Sequence, residues 1–425
     1  MRGGAKVVWA GAGIVALAIA GAFTAITWPH EVKVGTVAEV PGIVASQPPL
    51  LPDRDSSGDG QHQSIWDGMN QALLAKDRAA FLSHTTGDAT AQLATWWDGT
   101  STIGWDVAAI SPWDDYTVIL GAQLAFAAHP ERGSGAEDAG LQLIQGFYYD
   151  VEWEGNLISS ITPYLEPMPW DEGPLYAVRS EHVVLFGAAD EQGLVDANLA
   201  QAEASAQLAL DEVRKLGGDV PMDGFVAAIT DDSSRLSRWQ FGAGQQWDMD
   251  VAGFAMPTFR PPSAAPWLDP RIATGDASSG TIVAVGPLSV DQRPETFTHE
   301  FLHALHLTAA PTSASQPSIA VMEGFAEWAT ADAGAGEFTY RIPDVKDAVA
   351  RAGTGAFSDE ALRASDAWLG YGAAGSVYGF VQASGGDAWR LAVDAQRSGE
   401  DLFTVAQRQN PALTPEAWQA WVAAQ

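Results

Sequence analysis

The period of the apolar residues changes several times along the chain, and each change marks a new element. Val7 to Pro29 contains no charged side chain, and about 20 apolar residues suffice to cross a bilayer core as a helix. Met1-Arg2 and Lys6 come before it. Positive charge on that side keeps that end in the cytoplasm and puts everything after it outside. Residues 1–28 are therefore expected to be an uncleaved transmembrane anchor. Small-residue sites at Ala18-Ile19-Ala20 and Ala20-Gly21-Ala22 give the alternative, a cleaved signal peptide and a secreted chain. Residues 29–63 run through PPLLP into DRDSSGDGQHQ, a composition that predicts a flexible spacer.

From residue 64 the pattern becomes helical. Ile65, Met69, Leu73 and Leu74 in SIWDGMNQALLAKDRAAFLSH recur at helix spacing and predict an amphipathic helix. Strand-like segments follow: YTVILGAQLAFAAH, LQLIQGFYYDVEWEG and NLISSITPYLE, with Glu154-Gly155-Asn156 as a hairpin turn. Helix first and antiparallel strands afterwards is an α+β pattern. In element order, residues 64–172 resemble the cone-shaped SnoaL-like and nuclear-transport-factor-like folds.

EPMPWDEGP, residues 166–174, holds three prolines in nine residues and reads as a linker. A second α+β unit is expected over 175–425. It has a strand HVVLFG (182–187), a long Ala-rich helix (193–216), a strand GFVAAIT (224–230) and an irregular Pro-rich passage over 240–280. The strand TIVAVGP (281–287) and a mainly helical remainder complete it.

Charge narrows the partners. The chain carries 22 Lys and Arg against 53 Asp and Glu, a net charge of −31. A surface so acidic repels nucleic-acid phosphates and anionic lipid, so no nucleic acid is expected and the membrane is met only through the N-terminal helix. There is no cysteine. Disulfides and thiolate sites are excluded, and a metal must be held by His and carboxylate.

The sharpest chemical signal is RPETFTHEFLHALHL. His299-Glu300-Phe301-Leu302-His303 is an HExxH sequence, and Phe297, Phe301 and Leu305 form an i, i+4, i+8 stripe for the core. On that helix His299 and His303 stand one turn apart, about 6 Å, on the face away from the stripe. Both can reach one ion. Glu300 lies about 100° round the helix, placed to take a proton from a metal-bound water. A catalytic zinc needs a third protein ligand and an open fourth position. His306 would only extend a straight row, roughly 10 Å long, that cannot enclose a tetrahedral ion. Glu323, in PSIAVMEGFAEWATAD, is the better candidate if a second helix returns antiparallel, with Gly324 permitting close approach. Glu327, one turn on, can accept the outer N–H of a ligating imidazole.

HEFLH followed by MEGFAEW is similar to the gluzincin metallopeptidases, the class of thermolysin and aminopeptidase N. The resemblance implies zinc on His299, His303 and Glu323, Glu300 as catalytic base, and Glu327 as acidic partner of His299. YGAAGSVYGFVQASGG (371–386) resembles the family segment whose tyrosine steadies the tetrahedral intermediate, which implies Tyr371, with Tyr378 as alternative. TIVAVG is similar to the family's edge strand, onto which an extended peptide adds. No GxMEN-like motif for capturing a substrate N-terminus is present. The implied activity is zinc-dependent hydrolysis of a peptide or protein substrate, endopeptidase rather than aminopeptidase, outside the cytoplasm. The alternative is an inactive exported binding or scaffold protein with a relic peptidase domain.

Overall fold

A computed structural model describes residues 62–112, 116–126, 141–163, 167–218, 222–241, 252–257, 281–286, 295–310, 319–363 and 367–425. The expected anchor and the spacer up to residue 61 lie outside these residues. No described helix is long and apolar enough to cross a membrane. The architecture is mixed α+β, with two sheets among the described residues.

The first part holds α1 (Gln63–Ala75), α2 (Arg78–Leu82) and α3 (Gly87–Ile103). The single helix expected from residue 64 is thus divided. Lys76 turns left-handed at φ 53°, and Asp77 donates its N–H back to the Ala72 carbonyl and caps the next helix by accepting from the Ala80 N–H. Strands β1 (Val107–Pro112), β2 (Thr117–Ala125), β3 (Leu141–Glu154) and β4 (Leu157–Pro163) form an antiparallel sheet in chain order. The expected β3–β4 hairpin is present, with Gly155 at φ 62°. Asn70 both accepts from the Ile110 N–H and donates to the Ile110 carbonyl, pinning α1 to β1. Trp66, Phe81, Trp96, Trp97 and Trp105 fill the space between helices and sheet.

Residues 167–174 differ from the linker expected of them. Pro169–Glu172 is a short helix, α4, and Met168, Pro169 and Trp170 are buried. Gly99 of α3 touches Trp170 so closely that a Cβ there would lie 2.8 Å from the Trp170 Cβ. Glu172 accepts from Arg238 Nε at 2.7 Å and Trp239 Nε1 at 3.0 Å. The prolines break regular structure, but the tryptophan between them still needs burial, so the segment packs as a strap.

The second sheet comprises β5 (Leu175–Arg179), β6 (Val183–Ala188), β7 (Phe225–Ile229), β8 (Gly253–Pro257) and β9 (Thr281–Val285), in the order β5-β6-β7-β9-β8. Strands β6, β7 and β9 are parallel, while β5 and β8 run against their neighbours. Helix α5 (Gln192–Lys215) joins β6 to β7, and α6 (Ser233–Phe241) follows β7. Period two divides the sheet's side chains cleanly. Val183, Leu185, Phe225, Ala227, Ile229, Val283 and Val285 share a core with α5 and the C-terminal helices. Val184, Phe186, Val226, Ala228, Phe254 and Ala284 share a core with the first part of the chain. Burial on both faces is why HVVLFG and GFVAAIT read as unbroken apolar runs.

One expectation is corrected here. β9, the TIVAVG strand, is not an edge, because it pairs with β7 on one side and β8 on the other. Among the described residues the edges of this sheet are β5 and, on the β9 side, β8, which lies inside the passage expected to be irregular. It is only five residues long and begins with Gly and ends with Pro, which hides the strand signal. The remaining helices are α7 (Glu295–Ala309), α8 (Ile319–Asp332), α9 (Pro343–Ala352), α10 (Ala367–Ala383), α11 (Ala388–Ser398), α12 (Leu402–Gln409) and α13 (Pro415–Ala424).

Candidate metal centre

Helix α7 is fixed by its apolar stripe. Phe297, Phe301 and Leu305 are fully buried, and the Phe301 ring stacks on Phe225 of β7 at 4.2 Å between centroids. With that face bound to the sheet, His299 and His303 are turned toward α8. All residues of α8 from Ile319 to Ala331 are buried. The close approach expected of Gly324 is made with α10: a Cβ at Gly324 would lie 2.8 Å from the Ala374 Cβ and 2.9 Å from its carbonyl carbon. Glu323, beside it, is directed at α7.

The three side chains meet at one point. His299 Nε2 and His303 Nε2 are 3.0 Å apart, and Glu323 Oε2 is 3.3 Å from the first and 3.4 Å from the second. Ligands at 2.0–2.2 Å from a tetrahedral zinc lie roughly 3.3 Å from one another, so these spacings suit such an ion. Burial agrees: the side chains of Glu323 and His303 are at most 1% exposed and that of His299 is 12% exposed. Glu323 Oε1 and His303 Nδ1 have no hydrogen-bond partner among the described residues. Buried polar atoms left unsatisfied are costly, and a cation would neutralise the Glu323 carboxylate.

The electrostatics are those of a tight cluster. Burial pushes the Glu323 carboxyl up, but the His303 charge and hydrogen bonds from both imidazoles outweigh it and hold it at about 2. Burial lowers His299, while its hydrogen bond to Glu323 and the Glu300, Glu323 and Glu327 carboxylates raise it to about 9. His303 is lowered by burial. Without a cation, the proton of this pair therefore sits on His299, against an ionised Glu323. Glu300 is 1% exposed, its Oε2 has no hydrogen-bond partner among the described residues, and burial lifts its pKa to about 8. A nearby positive charge pulls such a carboxyl back down.

The other residues singled out in the sequence fall around this cluster. His306 is buried against the Phe325 and Trp389 rings, on the packing side of α7, and burial lowers it to about 3. Glu327 is 9% exposed, and its carboxyl and the His299 ring act on each other's charge. Tyr378 donates its hydroxyl to the Val321 carbonyl at 2.7 Å, which commits it to the core. Tyr371 is buried on α10, one turn before the Ala374 that meets Gly324.

Strand β8 brings the residue that sequence reasoning missed. A Cβ at Gly253 would come 3.2 Å from Glu300 Cγ. The Gly286 N–H donates to the Ala252 carbonyl at 2.8 Å. Antiparallel bonding alternates, so the backbone groups of Gly253 and Ala255 point to the outer edge. A five-residue strand flanked by Pro gives no sequence signal for this. A second group, Glu181, His182 and Glu203, lies at the β5–β6 turn. There the Glu203 carboxylate already accepts from Ser180 Oγ and the His182 N–H and pairs with the His182 ring, a brace of the turn against α5.

No protein-family model and no curated protein matches this chain. Among solved structures it is similar to an M1 zinc metallopeptidase from Deinococcus radiodurans, at 14% identity and a TM-score of 0.33. The match covers 64% of this chain and 58% of that one, so the chain spans less than two thirds of that protein's length.

Proposed function

We propose that the chain is a zinc-dependent peptidase that works outside the cytoplasm, tethered through residues 1–28. The observation that carries this reading is the convergence of His299, His303 and Glu323 within 3.0–3.4 Å, beside a buried Glu300 whose Oε2 has no hydrogen-bond partner among the described residues. Two neutral donors and one carboxylate leave a net positive ion with an open position, the donor set of a hydrolytic zinc site. Zinc held there would supply Lewis acidity to the scissile carbonyl and acidify the attacking water.

The chain's own groups do the rest. Glu300 accepts the proton of the attacking water and returns it to the leaving amine. Glu327 accepts the outer N–H of His299 and keeps that ring oriented. Tyr371 donates to the developing oxyanion. An extended substrate segment pairs with the outward N–H and C=O groups of Gly253 and Ala255 on β8, which sets its carbonyl beside Glu300. A peptide bound along an open edge can continue in both directions, which fits an endopeptidase. The gluzincin assignment of the second half and the SnoaL-like assignment of the first belong to this proposal.

Elemental analysis of the wild-type chain and H303A is the test, with a peptide-library digest of wild type and E300Q. About one zinc per wild-type chain, none in H303A, and zinc without turnover in E300Q is the expected set. A wild-type chain that takes up no zinc, or E300Q that still cleaves, refutes the reading.

A further inference from the structure

Helix α10 carries two glycines on the side where it meets α8 and the turn before α9. A Cβ at Gly375 would lie 3.4 Å from Glu327 Cγ, and a Cβ at Gly372 would lie 3.0 Å from Thr339 Oγ1. The two glycines open a notch in α10 in which Glu327 and Thr339 come together. Thr339 heads a 3-10 turn (Thr339–Arg341) and is 3% exposed. Its hydroxyl donates a hydrogen bond to the Glu327 carboxylate. Glu327 is itself buried, in electrostatic contact with the His299 ring, and the notch sets the Thr339 hydroxyl against its carboxylate. A threonine hydroxyl buried against a carboxylate fixes the direction of its lone pairs.

We propose that Thr339 is a positioning residue for the metal centre: its hydroxyl holds the Glu327 carboxylate, and through it the His299 ring. The inference rests on the zinc reading above. Thr339 touches neither substrate nor metal position. It makes one of the two imidazoles arrive pre-oriented, whereas His303 Nδ1 has no such partner among the described residues. Nothing in the sequence near His299 signals this, because Thr339 lies forty residues downstream in an irregular turn.

The full chain is compared as wild type, T339V, T339S, E327Q and the E327Q/T339V double variant. Zinc affinity is read by competition with a chromophoric chelator, and site geometry by the visible spectrum after cobalt(II) substitution. Loss of a group that orients a metal ligand costs 10–100-fold in affinity, so E327Q is expected near 10-fold and T339V, one step further out, at about fivefold. T339S restores both affinity and the wild-type cobalt spectrum. In the E327Q background T339V adds no further loss, which a merely structural role would not produce. T339A repeats the comparison if valine does not fold at this site. Unchanged zinc affinity and cobalt spectrum in T339V, or losses that multiply in the double variant, overturn this inference alone. A wild-type chain that binds no zinc overturns the zinc reading and this inference with it.

Discussion

Gly253 lies against Glu300. A methyl group at Gly253 would sit 3.2 Å from Glu300 Cγ, 3.2 Å from Thr296 Cγ2 and 2.9 Å from the Ala284 carbonyl oxygen. The oxygen belongs to the backbone of the partner strand and cannot swing away, so the strand or the glutamate must shift. Overpacking of this kind costs about 1–3 kcal/mol, and a base misplaced by an ångström costs on the order of 100-fold in rate. G253A is therefore expected to retain zinc while losing turnover by roughly 10–100-fold. Metal content and peptide hydrolysis measured side by side check this, and full activity would show that β8 does not position the base.

Zinc uptake should release a proton. The His299 ring, lowered by burial but raised more strongly by Glu323 and its neighbours, stands at about 9 before metal arrives. Below that pH the site holds a proton that the ion must displace, so apparent zinc affinity should rise about tenfold per pH unit up to about pH 9 and level off above it. The same shift fixes the sign of the metal-free chain's stability. A folded-state pKa above the ordinary imidazole value of 6.5 contributes stability that is whole below pH 6.5 and is lost as pH rises through 9. Calorimetry in buffers of different ionisation enthalpy should count close to one proton at pH 7. No proton release would mean the His299–Glu323 pair is not protonated.

Asp171, in the strap Met168–Glu172, gives a second pH dependence. Burial pushes its carboxyl up from 3.8 to about 7, although the Met168 N–H and the Tyr149 hydroxyl both donate to it. A carboxyl raised in the folded state contributes stability that is full below its unfolded pKa and falls as pH climbs from about 4 to 7. D171N keeps an acceptor for the Met168 N–H and removes the charge. Its melting temperature should change less than wild type between pH 4 and 7. Parallel curves for the two proteins would refute the assignment.

That His299, His303 and Glu323 lie together was legible in the sequence because two of the three are local: His299 and His303 are one helical turn apart, while Glu323, on the next helix, joins them because α8 packs against α7. The two features that place the site in the fold are not local. Gly253 reaches Glu300 through a strand of five residues that begins with Gly and ends with Pro. Its partner strand, β9, reads as an edge only by its resemblance to the gluzincin edge strand, and an apolar run by itself reports burial and not which neighbours pair. Thr339 reaches Glu327 through a notch made by two glycines on a third helix. The same limit hid the packing of the strap at Met168–Glu172, whose prolines mark irregularity but say nothing of what Trp170 lies against.

The two parts of the chain should also prove inseparable. Val184, Phe186, Val226, Ala228, Phe254 and Ala284 form one face of the second sheet, and all are at most 3% exposed because the first part of the chain covers them. A fragment of residues 175–425 would bare that face, an apolar patch of the kind soluble monomers avoid. It would also lose the strap, with Trp170 and the bonds from Arg238 and Trp239 to Glu172. Strand β7, which supports α7 through the stacking of Phe225 on Phe301, and its neighbour β9 would then be covered on one side only. The fragment is expected to aggregate, or to bind a hydrophobic dye without a cooperative melt, and to take up no zinc, whereas the chain from residue 62 folds and binds it. Circular dichroism melts and metal content of the two distinguish the cases. A fragment that melts cooperatively with wild-type zinc affinity would show that the second sheet needs no cover, and that the first part of the chain is free to serve a function of its own.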